Sequence, residues 1–238
     1  MTVLHLADEG EAADLAAFLS RLLHYDRGAA VRLQAAGTAL AVFGRPPSFE
    51  VLAIRTVRLA KPYENGLDVT LDVTVSAGEL LESVDEPAAT AGVPGAVTGP
   101  PWAGVLPPRG GWQPVPGLPA PDVLRALVGA AVAEFRSRTQ ELAPERRTRA
   151  ELDRIGREIW SRTVGDTRLP VRVLHAAQSL GFLRGASAVS GAPGVPGASG
   201  TSGEWRLFSS GAWLRLRTAY GSIAVRTAGL GALGVSVR

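Results

Sequence analysis

Trp205-Arg206-Leu207-Phe208-Ser209-Ser210-Gly211-Ala212-Trp213-Leu214-Arg215-Leu216-Arg217-Thr218-Ala219-Tyr220-Gly221-Ser222-Ile223-Ala224-Val225-Arg226 is the stretch that decides the fold class. Its strand-like runs, 205–208, 213–217 and 222–226, are separated by Ser209-Ser210-Gly211 and Ala219-Tyr220-Gly221, which predicts a three-stranded β-meander. Successive strand side chains point to opposite faces. Trp213, Arg215 and Arg217 therefore share one face and Leu214 and Leu216 the other. Arg206 and Arg226 extend the arginine face across the neighbouring strands.

Upstream, the pattern is helical. Pro121 suits a first turn, and Val123, Leu124, Leu127, Val128, Ala131, Val132 and Phe135 form one apolar face. Thr148-Arg149-Ala150-Glu151 has capping-box spacing before the stripe Leu152, Ile155 and Ile159. A third helix is expected from Pro170 to Leu180, capped by Gly181. Gly185 to Gly203 reads as a flexible glycine-rich loop, with a glycine every third residue from Gly191, and Gly234 to Val237 as a short edge.

Three helices followed by a meander is the order of a winged helix, in which the third helix enters the DNA major groove. Its outward residues would be Arg172, His175, Gln178 and Ser179, with Arg184 just beyond. Arg and Gln hydrogen-bond base edges and Arg also holds phosphate.

The N-terminal part alternates differently. Ala12, Leu15, Ala16, Leu19, Leu22 and Leu23 mark a helix, and strands are expected at 30–34, 39–43, 51–59 and 67–75. Val69, Leu71, Val73 and Val75 alternate with polar residues, the pattern of a half-exposed strand, and Asn65-Gly66 is a hairpin signal. A short helix follows from Ser76 to about Val84. Between the halves, Pro87 to Pro121 holds ten Pro and seven Gly. Trp102, Val105, Leu106 and Trp112 interleave with them, so residues 97–118 are expected to form a packed strap rather than a free linker.

Charge divides the same way. Residues 1–100 carry seven Lys/Arg against thirteen Asp/Glu, whereas 101–238 carry eighteen Arg against nine Asp/Glu. A locally basic unit is suited to nucleic acid. Lys61 is the sole lysine. There is no Cys, which excludes disulfides, thiolate catalysis and zinc–sulfur sites. Met1 to Glu9 lacks the positive start of a secretory signal and no helical stretch has the length of a membrane span, so a cytoplasmic protein with no membrane contact is expected.

Catalytic signatures fail on inspection. Gly229-Leu230-Gly231-Ala232-Leu233-Gly234 spells a dinucleotide motif, but no helix or ribose-binding acid can follow it. His5, His24 and His175 belong to no metal spacing, and Asp68 with Asp72 read as a solvated edge. No cofactor and no named reaction are expected, although an enzyme whose polar groups converge only in space stays open.

Three stretches carry a resemblance: Ala41-Val42-Phe43-Gly44-Arg45-Pro46-Pro47, Thr98 to Arg109, and Thr218 to Arg226. They resemble those of uncharacterised full-length proteins of high-GC actinobacteria. That resemblance implies a bacterial cytoplasmic origin and transfers no functional residue.

The reading is an α+β protein. It comprises an acidic helix on a small antiparallel sheet (1–86), a Pro/Gly/Trp-rich ordered strap (87–120) and a basic, winged-helix-like unit of three helices and a β-meander (121–238). Its concrete functional expectation is DNA or RNA binding through Arg172, His175, Gln178, Arg184, Arg206, Trp213, Arg215, Arg217 and Arg226, with the acidic half as a protein-facing surface. The alternative is a protein-interaction or scaffolding module without nucleic-acid contact.

Overall fold

Local chemistry sets the helix ends. The Asp8 carboxylate accepts from the Glu11 N–H and starts the first helix; Thr148 does the same for the Glu151 N–H further on. The computed structural model describes residues 2–184 and 205–227, so the glycine-rich loop 185–203, the 229–234 motif and the 234–237 edge lie outside the described residues. In chain order the elements are β1 (Val3–His5), α1 (Glu9–Tyr25), β2 (Ala30–Ala36), β3 (Ala39–Gly44), β4 (Leu52–Arg58), β5 (Thr70–Ser76), α2 (Ala77–Glu82), β6 (Val84–Asp85) and β7 (Thr90–Gly92). They continue with β8 (Gln113–Val115), α3 (Pro121–Gln140), α4 (Arg149–Trp160), α5 (Val171–Ser179), β9 (Arg206–Ser210), β10 (Trp213–Arg217) and β11 (Ser222–Arg226).

The protein is mixed α+β, built on an eight-stranded antiparallel sheet in the order β5-β2-β3-β4-β11-β10-β9-β8, with a three-stranded sheet β1-β7-β6 beside it. The expected meander is β9-β10-β11. Its strand pairing does not set it apart with the three helices as a winged-helix-like unit, because β11 pairs with β4 (Ser222↔Ile54, Ile223↔Ala53, Ala224↔Leu52). Both strands are apolar on successive residues, which suits the middle of a sheet covered on both sides. The Asn65-Gly66 turn forms, with Gly66 at φ +64° and backbone hydrogen bonds exchanged between Asn65 and Asp68. It does not make a hairpin of β4 and β5, however. Both edges of β4 are taken by β3 and β11, so β5 pairs with β2 instead.

The helices cover one face. One apolar cluster unites Leu15, Phe18, Leu33 and Val57 with Leu124, Ile155, Leu174, Leu214 and Ile223, so both halves share it. Phe18 stacks on Phe182 at 5.7 Å, and Gly221 lets that ring approach where a Cβ would lie 2.5 Å from it. Charge supplements this seam. Arg55, 6% exposed, pairs with Glu11 at 2.8 Å and Asp14 at 3.2 Å, and donates to the Tyr220 carbonyl at 2.9 Å. One guanidinium thereby ties α1, β4 and the turn before β11.

The opposite face lies under residues 96–113. Ala96 bridges to Val75 at the β5 edge, and Gln113 enters β8 at the other edge. The segment crosses all eight strands, roughly 34 Å at about 4.8 Å per strand, well within the reach of its chain. Trp102, Leu106 and Trp112 pack on Phe43, Leu52, Ile54, Trp213 and Ala224. Pro114 is tolerated in β8 because this strand is an edge.

Candidate functional site

The strands place the meander arginines in rows. Trp213 stands opposite Arg226 and Ser210; Arg215 stands opposite Ala224 and Phe208; Arg217 stands opposite Ser222 and Arg206. Directly opposed residues share a face, so Arg206, Trp213, Arg215, Arg217 and Arg226 all lie on the strap side of the sheet. The Arg226 guanidinium sits 5.6 Å from the Trp213 ring and that of Arg215 5.8 Å from the Trp112 ring. Burial, and secondarily the charge of Arg217, push the Arg215 guanidinium below its ordinary pKa. An anion on this face would offset both costs.

The α5 residues go elsewhere. His175 is stacked on Trp160 at 4.3 Å and met edge-on by Phe49 at 5.1 Å, and its burial lowers its pKa, favouring the neutral ring. Arg184 pairs with Asp14 at 3.0 Å and lies 4.4 Å over Tyr220. Gln178 is exposed. A helix whose His and following Arg are so engaged does not offer the outward row that groove reading needs.

Arg172 alone joins the meander residues. It lines a cleft of about 580 Å³ together with Arg45, Glu50, Trp102, Trp213 and Arg226. Arg172 and Glu50 also line an adjoining cleft of about 950 Å³ floored by Phe49, Trp160 and His175. Glu50 holds φ +52°, the left-handed region that a non-glycine residue adopts at a cost. Arg45 and Glu50 were not singled out in the sequence. Arg45 precedes two prolines and reads as a turn, and no local pattern links it to Arg226.

Elsewhere, many arginines are paired with carboxylates. Arg138 and Arg162 on α3 and just beyond α4 bracket Glu134 and Glu158, with Arg138 reaching Glu158 at 2.8 Å. Arg58 reaches Asp8 and Glu11, each at 2.9 Å. Partial burial opposes the charge of Asp72, yet hydrogen bonds from Arg32 and Gln34 outweigh it and hold the carboxyl below its usual range. Asp72 is thus an ion-pair partner rather than a metal ligand. Among the described residues no cluster of three or more His, Cys, Asp or Glu gathers to hold a metal, and no described helix is long and apolar enough to cross a membrane. By contrast, Arg45, Arg172, Arg215, Arg217 and Arg226 have no carboxylate within ion-pair distance among the described residues.

Comparison with known families adds two matches. The model of a domain of unknown function (DUF8010) matches residues 1–104, and that of a second domain of unknown function (DUF8185) matches residues 107–230. No curated protein and no solved structure matches the chain.

Proposed function

The chain belongs to the DUF8185 family, whose model covers residues 107–230, and we propose that it binds nucleic acid, as a single strand laid along the strap side of β9–β11. The observation that carries this reading is the contrast in pairing. Arg55 and Arg58 beside α1, and Arg138, Arg154 and Arg162 on and beside α3 and α4, are matched by carboxylates, whereas among the described residues Arg215, Arg217 and Arg226 share one strand face without any. Guanidinium groups beside indoles suit a phosphate backbone with bases stacked between the contacts. A single strand is favoured over a duplex because α5, the element that would enter a groove, is engaged through His175 and Arg184.

Anisotropy titration of the full chain with short labelled single-stranded and duplex oligonucleotides at two salt concentrations tests the reading. Three arginine–phosphate contacts correspond to a log–log salt slope of at least about −2 on a single strand. Absence of binding at low salt overturns it, as does unchanged affinity in Arg215→Ala/Arg217→Ala.

A further inference from the structure

The cleft beside the arginine rows carries a chemistry of its own. Its three guanidinium groups come from three places: Arg45 from the end of β3, Arg172 from the first turn of α5 and Arg226 from the end of β11. Elements so far apart in sequence converge here only through the β4–β11 pairing, which brings the ends of both halves together. The Arg172 Nε is buried and has no hydrogen-bond partner among the described residues, as is also true of the Arg55 and Arg215 Nε. A desolvated guanidinium donor without an acceptor is unfavourable unless a ligand supplies one. Its planar fork of N–H groups matches the oxygens of a phosphate.

The remaining wall is apolar and aromatic. Leu52, Val105 and Ala224 line the cleft with the indoles of Trp102 and Trp213, a surface suited to the face of a planar heterocycle. The volume of about 580 Å³ lies within the range of small-molecule sites. Glu50 is the single carboxylate on the lining. Three guanidinium groups against one carboxylate leave an excess that matches a phosphomonoester, which carries about −1.5 to −2 at pH 7. The left-handed backbone of Glu50 places this acid at the wall shared by both clefts, where it can accept from N–H groups on the ligand's ring edge.

We infer that this cleft binds a nucleoside monophosphate, with the phosphate held by Arg45, Arg172 and Arg226 and the base against Trp102 and Trp213. The cleft shares Arg226 and Trp213 with the proposed strand-binding face, but its reading does not depend on that one.

Titration of the full chain by calorimetry and tryptophan fluorescence, with adenosine 5′-monophosphate, adenosine, inorganic phosphate and ATP as separate probes, tests it. The monophosphate binds more tightly than adenosine or inorganic phosphate, and also more tightly than ATP, whose extra charge the cleft does not match. Arg172→Gln and the exposed Arg45→Ala each weaken monophosphate binding about tenfold or more while the thermal melt shows a folded chain. Equal affinity for adenosine and its monophosphate overturns the phosphate assignment. Inorganic phosphate binding as tightly as the nucleotide overturns the aromatic half. No heat or fluorescence change with any probe overturns the site altogether. Monophosphate binding in a protein that binds no oligonucleotide would remove the strand reading and leave this one standing.

Discussion

The two faces of the eight-stranded sheet are made by the same strands and do opposite things. Toward the helices they present Leu33, Leu40, Val42, Val57, Leu214 and Ile223, all nearly inaccessible to solvent and packed in one cluster drawn from both halves. Toward the strap they present a small apolar centre, Phe43, Leu52 and Ile54, and then arginines and indoles toward β9. Charge on the helix side is matched, as at Arg55 with Glu11 and Asp14. Arg215, Arg217 and Arg226 on the meander's strap side have no carboxylate within ion-pair distance among the described residues. On the proposed reading one face carries stability and the other recognition, and each side of that division can be tested.

Arg55→Ala is the most damaging expected change. It empties a buried position, leaves Glu11 only Arg58 and Asp14 only Arg184 as ion-pair partners among the described residues, and unties α1 from the turn at Tyr220, for a loss of about 3–4 kcal/mol in denaturant unfolding. Leu33→Ala, on a fully buried strand position of the same face, costs about 3 kcal/mol through lost transfer energy and the cavity it leaves. If either variant melts like the parent, the helix side is not where stability resides.

Across the sheet the effects shrink. Trp112→Ala removes a half-exposed indole from the strap and its contact with Arg215, and the melt falls by about 1–2 kcal/mol. His175 gives a pH signature. Its pKa is lowered in the fold by burial, so its contribution is intact above the unfolded value of about 6.5 and is lost as pH falls below it toward the folded value. The charged groups on the cleft around it are Glu50, Asp153, Arg149, Arg157 and Arg172. Stability measured between pH 7 and 5 should fall in the parent and fall less in His175→Phe; an identical slope in both discards this source. Arg217→Ala is the mildest for folding, within about 0.5 kcal/mol. It should nevertheless reduce the salt slope of single-strand binding by about 0.7.

Much of the local structure was legible. The runs 213–217 and 222–226 are β10 and β11 to the residue, Thr148 caps α4, and Gly181, at φ +75°, follows the end of α5. Periodicity and capping are local, and local signals survive packing. The alternation of Val69 to Val75 marks an edge: Val75 is buried, Leu71 and Val73 half-buried, and Val69 exposed, so β5 begins only at Thr70. The site was legible only in part. The shared face of Trp213, Arg215 and Arg217 follows from alternation alone. The fate of His175 depended on Phe49 and Trp160, and that of Arg184 on Asp14. Those partners lie far away in sequence, and nothing in the local pattern announces them.

The amino-acid sequence by itself determined the α+β class, the five described α-helices, seven of the eleven described strands (not β1, β6, β7 or β8), the arginine face of the meander and the exclusion of thiol chemistry. These are consequences of side-chain period, backbone permission and composition, and each is decided within a few residues. Only the tertiary structure decided that β4 and β11 join two sets of strands into one sheet, that residues 96–113 cross its far face, and that Arg45, Arg172 and Arg226 meet. The physical reason is that pairing between distant strands is a competition for edges and for burial. The runs Leu52-Ala53-Ile54 and Ile223-Ala224-Val225 needed cover on both faces, and each found its neighbour in the other.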